Sequence, residues 1–215
     1  MMDRQRLNPG RKFDQVRDGA RDIFLRDGYS GASVDDIARA AGVSKATLYS
    51  YFPEKRMMYR EVLLDEMKRI AAESPISICP DLAPAEALPL MARQIAEWLA
   101  SDPVVRMSRT TIAEAVRFPE VSRQYHAICQ SLLRDVVQAH LERWVAAGDL
   151  QIEDTRLAAE QFVRLSGTLL QESSLLLANP APRDSVIREV SDSAARLFLA
   201  AHGDGTAGRH FAAVS

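Results

Sequence analysis

The chain has 215 residues, 47% hydrophobic and 26% charged, an ordinary globular composition long enough for one large domain or two smaller ones. No apolar run reaches the roughly 18 residues of a membrane span, the first residues lack the apolar core of a secretory signal, and two cysteines, Cys79 and Cys129, supply neither a disulfide framework nor zinc-ligand spacing, so a cytoplasmic protein with reduced thiols is expected. Charge nearly balances, with 27 basic against 29 acidic residues, but residues 1–60 hold 12 and 8 (net +4) and the rest 15 and 21 (net −6), which suits one end to a polyanion.

Helix signals dominate and no period-2 strand segment stands out. Across residues 11–27, Phe13, Val16, Ala20, Ile23 and Phe24 recur at spacings of three and four, one apolar stripe, and Gly28 is placed to end that helix in the left-handed conformation. Ser33 caps a short second helix, with Asp35 and Asp36 at its positive end. Val34, Ile37, Ala38 and Ala41 form its buried face and Gly42 closes it. Ser44 caps a third, very short helix ending near Phe52, and a longer one is expected over residues 54–72. The segment with Pro75, Pro80, Pro84 and Pro89 reads as an irregular domain joint. Beyond it one helix ends near Ala100, and another starts after Ser101-Asp102-Pro103. The remaining three cover residues 119–148, 154–178 and 184–202.

Helix, short helix, glycine turn and second short helix is the helix-turn-helix arrangement. In VSKATLYSYFPEK, Val43 to Lys55, a turn of about 100° per residue puts Leu48 and Phe52 on one face, to pack on Val43, Ile37 and Phe24. Ala46, Thr47 and Ser50 point the other way, flanked by Tyr49 and Tyr51. Small residues let a helix sink into the major groove, and phenol hydroxyls at its margins reach phosphates. Arg4, Arg6, Arg11 and Lys12 form either a minor-groove arm or a plain basic tail.

The run ARDIFLRDGYSGASVDDIARAAGVSKATLYSYFPEK resembles the TetR family of bacterial transcriptional regulators almost position for position, over about a quarter of the chain. The resemblance implies an all-α fold of about nine helices: a three-helix DNA-binding domain at residues 10–70 (helix-turn-helix at 33–52), an effector-binding and dimerisation domain at 71–203, and a flexible tail at 204–215. It implies DNA contacts from Ser33 (phosphate, at a helix N-terminus), Lys45 (guanine O6/N7 or phosphate), Ala46 (thymine methyl), Thr47 (base edge or backbone), Tyr49 and Tyr51 (phosphates) and Lys55 (backbone clamp). Ser44 and Ser50 complete the expected site. Ser33 and Ser44 are also helix caps whether or not DNA is present. Asp35 departs from the pattern, near where some members carry a base-reading side chain, and is left out. AEAVRFPEVSRQYHA, Ala113 to Ala127, resembles the C-terminal domain of the AefR-like subgroup.

The last two helices suggest a homodimer. Leu165, Leu169 and Leu176 share a stripe with Phe162, and Val190, Leu197 and Phe198 lie on the final helix; Ser166, Gly167, Ser173 and Ser174 permit close helix approach. Met91, Ile95, Trp98, Met107, Phe118, Tyr125, Trp144 and Phe162, with Arg109 and His126, are the expected lining for an unidentified small hydrophobic or amphipathic effector. Aromatic and Met stripes at helical spacing equally describe plain core. No cofactor is expected, and no metal, since His126 and Cys129 cannot close a tetrahedral site. No G-x-G-x-x-G, P-loop, H-E-x-x-H or G-x-S-x-G motif points to an enzyme. The reading is a repressor that binds a palindromic double-stranded operator as a homodimer and is released by its effector. The alternatives are an activator of the same family or, in a different class, a helical adaptor or small-molecule enzyme that does not bind DNA.

Overall fold

The structure, a computed structural model, describes residues 10–177 and 181–203. It comprises α1 (Arg11–Gly31), α2 (Val34–Ala40), α3 (Lys45–Tyr51), α4 (Lys55–Ile70), α5 (Pro84–Leu99), α6 (Asp102–Ala113), α7 (Pro119–Cys129), a π turn (Gln130–Arg134), α8 (Asp135–Ala147), α9 (Thr155–Leu177) and α10 (Asp184–His202). Extended pairing among the described residues amounts to an isolated bridge between Leu150 and Gly203. The all-α class holds. The backbone stays helical at Cys129 and Asp135, on either side of the π turn, so α7 to α8 form the single helix that the periodicity implied and the described residues make nine helices. The expected arm residues Arg4 and Arg6 and the expected flexible tail 204–215 lie outside the described residues; Arg11 and Lys12 are exposed at the start of α1.

The chain divides into two compact units, the first reaching Ala72 and including Arg106–Tyr125, the second made of Glu73–Val105 and the residues from His126 on. The expected sequence boundary near residue 71 is thus supplemented in space by most of α6 and the start of α7, which pack with the N-terminal helices.

In the first unit α1 buries Phe13, Val16, Ala20, Ile23 and Phe24 and packs on α2 and α4. Its helical backbone breaks at Gly28 (φ 69°, ψ −178°), a conformation that L side chains rarely adopt, and the Ala32 N–H donates to the Gly28 carbonyl at 3.2 Å. One turn of α1 comes close to the end of α2: a Cβ placed on Gly19 would lie 2.6 Å from the Ala41 nitrogen and 2.8 Å from its Cα. α4 faces inward through Met58, Tyr59, Val62, Leu63 and Met67.

The second unit packs α5 against α9 and α10, and α8 against α9. Pro84 opens α5 at its first turn, where a missing N–H costs nothing. The helix then runs through Pro89, which corrects the expected irregular joint up to that residue. The apolar face of Ala87, Leu88, Met91, Ala92 and Ile95 is buried, and this burial offsets the one lost hydrogen bond. α9 approaches α5 closely, since a Cβ on Gly167 would meet Leu99 Cδ1 at 2.6 Å and the Ala96 Cα at 3.4 Å. Ser166, Gly167 and Ser174 are buried, so the small residues expected to admit a second protomer serve packing within the chain; Ser173 is exposed.

His140 is buried on α8, and Arg143 Nη2 lies 2.6 Å from its Nδ1. Arginine only donates, so Nδ1 accepts, and the ring carries its proton on Nε2 when neutral. Burial, then the Arg143 charge, push its pKa below the ordinary histidine value.

Two outcomes follow from this packing. Gly19→Ala gains about 1 kcal/mol of helix propensity but forces α1 from α2, a cost of roughly 1–3 kcal/mol, so denaturant melts should show net destabilisation. As pH falls below about 6.5, the unfolded chain takes up a proton that folded His140 resists, so stability declines through the window down to the depressed folded value. Above that window the contribution is fully restored. Melting temperatures of His140→Gln should fall less than those of the wild type over this range.

Candidate nucleic-acid interface

α3 is seven residues long and is built from both ends. The Ser44 Oγ accepts from the Thr47 N–H at 3.1 Å and is bonded to Thr47 Oγ1 at 2.9 Å. Leu48 and Phe52 are wholly buried, as their shared face requires. The Phe52 ring stacks on Phe13, with centroids 5.5 Å apart, whereas Phe24, the ring expected beneath it, pairs with Tyr29 and Tyr59. Lys45, Ala46, Tyr49 and Ser50 are exposed on the other side and Thr47 is half-buried.

Within that face the side chains differ in what they have left to offer. Tyr51 is half-buried with its ring edge-on to Phe13 at 5.9 Å, dividing it between packing and surface. The Ser50 hydroxyl donates to the Thr47 carbonyl at 2.6 Å, which commits its proton within the helix and leaves lone pairs outward. Ser33 accepts from the Asp35 N–H at 3.1 Å, leaving its own proton to donate. Lys45 Nζ lies 2.6 Å from Asp35 Oδ1; this bond, then the carboxylate's charge, raise the lysine's pKa above its ordinary value. Sequence reasoning set Asp35 aside, and the signal that would have recovered it is an acid and a base at the first turns of two helices joined by a glycine turn.

Lys55 opens α4 with its ammonium 4.7 Å from the centroid of the Tyr29 ring, a cation–π contact that holds it at the end of the helix. Burial, then the nearby Arg117 charge, lower its pKa. Tyr29 belongs to a ring cluster with Phe24, Tyr59 and Phe118, and Tyr59 lies 4.6 Å from Phe118 and 5.1 Å from Phe24. Burial pushes the Tyr59 phenol up to about 12. The turn after α6 closes over the cluster. Arg56 lies over Phe118 at 4.5 Å and donates to the Arg117 carbonyl at 3.0 Å, Arg117 lies over Tyr29 and donates to Ser30 Oγ, and Arg60 pairs with Glu120 at 3.2 Å.

The expected effector residues fall in both units. Met107, Phe118 and Tyr125 are buried in the first, where Tyr125 bonds Ser108 at 2.8 Å, and Arg109 is exposed. In the second, Met91, Ile95, Trp144 and Phe162 are buried members of one core cluster, with Trp98 packed against it. His126 is exposed beside Gln130. A pocket in the second unit is lined by Ala83, Pro84, Ala85, Gly148 and Asp149 among others, and by none of the expected residues.

Of the expected dimer residues, Leu165, Leu169, Leu176 and Leu197 are exposed, with Leu169 at 67% and Leu176 at 73%. Phe198 is a correction: it is 2% exposed, its ring 5.0 Å from Phe162 inside the core. Val190 is half-buried against Ala96, Ala100, Leu170 and Ile187. Among the described residues no group of three His, Cys, Asp or Glu could hold a metal ion, and no helix is long and apolar enough to cross a membrane.

Residues 16–62 match the family of bacterial regulatory proteins of the tetR type, and residues 86–204 match the C-terminal domain of AefR-like transcriptional repressors. An HTH-type transcriptional regulator of Mycobacterium tuberculosis is 32% identical over 75 residues, 35% of this chain and 37% of that protein. IcaR of Staphylococcus aureus, a negative transcriptional regulator of the biofilm operon icaADBC, is 38% identical over 48 residues, 22% of this chain and 26% of IcaR. These matches therefore span well under half of either relative. Among solved structures, the flavonoid-responsive regulator FrrA is 31% identical with a TM-score of 0.69, covering 91% of this chain and 99% of FrrA. A TetR transcriptional regulator from Agrobacterium tumefaciens, 20% identical, shares the fold with a TM-score of 0.76 over 94% of this chain and 100% of that one.

The capping by Ser44 is separable from the DNA contact expected of it. Ser44→Ala should cost about 1 kcal/mol of stability in thermal or urea melts through the lost cap. Ser44→Asp should restore the cap while placing a negative charge on the exposed face, so its melts recover and its DNA binding does not.

Proposed function

The chain belongs to the TetR family of transcriptional regulators and carries an AefR-like C-terminal domain, and on that premise we propose that it binds a palindromic operator as a homodimer, represses the adjoining gene and is released by a small hydrophobic or amphipathic effector. The observation that carries the DNA-binding part is the polarity of α3: Leu48 and Phe52 are buried inward, while Lys45, Ala46, Tyr49 and Ser50 stand exposed on the other side. Ser33, Ser44, Thr47, Tyr51 and Lys55 complete the contact set, with phosphates taken by the hydroxyls and Lys55 and base edges by Lys45, Ala46 and Thr47. Repression is supported by the role of IcaR as a negative regulator and by the match to the C-terminal domain of AefR-like repressors. A small aromatic effector is supported by the flavonoid response in FrrA's name.

Release works as a population shift. An effector that prefers a conformation with misplaced readers lowers operator affinity by its differential binding free energy, about 1–3 kcal/mol in ordinary allosteric proteins. α4 is the lever in this reading, because Arg56, Tyr59 and Arg60 tie its first two turns to residues 117–120 while Lys55 stands at its DNA end. Dimerisation uses the exposed Leu165, Leu169, Leu176 and Leu197, and it supplies two readers about 34–36 Å apart for half-sites one turn of duplex apart.

Mobility shifts with the promoter next to its own gene should show binding that scrambled DNA does not compete away at low salt; equal affinity for both sequences sinks the reading. Lys45→Ala with Tyr49→Ala should lose operator binding by at least about tenfold with an unchanged far-UV spectrum. In sedimentation, Leu169→Glu with Leu176→Glu should shift a dimer to monomer; an unchanged mass would remove α9 from the interface.

A further inference from the structure

We propose that Asp35 and Lys45 act as one unit that reads a single G·C base pair in each half-site; this rests on the operator-binding reading above. The two side chains are exposed on the first turns of α2 and α3, and Lys45 Nζ lies 2.6 Å from Asp35 Oδ1. A lone lysine on this face is indifferent between a guanine and a phosphate. With a carboxylate bonded to it, the same ammonium cannot take a phosphate without bringing two anionic groups together.

A G·C pair suits both partners at once. Its major-groove edge presents N7 and O6 as acceptors on guanine and the N4 amino group as a donor on cytosine. O6 and N4 are hydrogen-bonded to each other, so they stand about 2.9 Å apart, close to the Nζ–Oδ1 separation. Lys45 donates to O6 or N7 while the N4 amino group donates to Asp35, and the ion pair survives the contact. An A·T pair fits worse. Its one donor, adenine N6, lies between the acceptors N7 and O4, so with Lys45 on one of them the carboxylate still abuts the other, whereas the outer neighbour of cytosine N4 is only the C5–H. The direction from Lys45 to Asp35 fixes which strand carries the guanine.

The test is selection of binding sites by the full chain from a randomised double-stranded oligonucleotide library, run in parallel for wild type, Asp35→Ala, Asp35→Asn and Lys45→Ala. Wild type should yield a palindrome with a fixed G·C pair in each half. Asp35→Ala and Lys45→Ala should retain the remaining consensus and lose preference at that pair by roughly 5- to 150-fold. Asp35→Asn, nearly isosteric, should move the preference there toward A·T, because an amide pairs with adenine N6 and N7; it also carries the test if Asp35→Ala does not fold. An unchanged consensus for the aspartate variants, or a uniform loss at every position, overturns the inference while leaving the operator reading intact. A wild-type chain that selects no consensus overturns the operator reading and this inference with it.

Discussion

Seven residues of helix are too few to persist in water, because nucleation costs more than so few hydrogen bonds return. α3 exists because Ser44 satisfies one of its orphan donors, the Thr47 N–H, and because Leu48 and Phe52 are buried, Phe52 against the Phe13 ring. Phe13 in turn is held by α1, and α1 is drawn to within van der Waals contact of the end of α2 only because position 19 has no side chain. The orientation of the polar face is therefore set chiefly by contacts on the opposite one. Apart from the Ser44 cap, the buried side holds the helix in place, which leaves Lys45, Ala46, Tyr49 and Ser50 exposed toward another molecule.

A second constraint concerns α4. Its first residue presents Lys55 and its second turn buries Tyr59, so one short segment joins the outer surface to a cluster of four rings. Cations sit over two of those rings from the exposed side, Lys55 and Arg117 on Tyr29 and Arg56 on Phe118. Each such contact is worth about 0.5–1 kcal/mol at exposed sites, enough to bias a conformational equilibrium and too little to lock it. That balance is what the proposed lever requires. Were the same cluster sealed by buried ion pairs, breaking any one would cost several kcal/mol, and a small ligand could not compensate.

Local features were the legible ones. Gly28, Ser33, Ser44 and the buried pair of Leu48 and Phe52 each act through neighbours within a few residues, and the structure places them as the spacing implies. The nine helices of the described residues were legible too, although the π turn at Gln130–Arg134 was not. Pro89 was misread because proline discourages helix on average, while burial of the α5 face decides this case. Phe198 and Gly167 show the limit of periodicity, which tells which side faces inward but not whether that side meets another protomer or a segment of its own chain. Asp35 was missed because its partner lies ten positions away across a turn, beyond the reach of any helical repeat.

The exposed leucines of α9 and α10 bear on whether the proposed dimer can support itself. Full burial of a leucine is worth about 1.5–3 kcal/mol, and these four, 44% to 73% exposed, already hide part of their surface. Each then adds about 1–2 kcal/mol on burial. One chain's four give roughly 4–8 kcal/mol, within the lower half of the roughly 4–15 kcal/mol that association costs in lost freedom. Two-fold symmetry changes the balance, because an isologous contact buries the same four from both chains, roughly 8–16 kcal/mol, for a single association cost. A face of this size therefore sustains a symmetric pair far better than an unrelated partner that contributes polar surface. A palindromic operator requires the same symmetry.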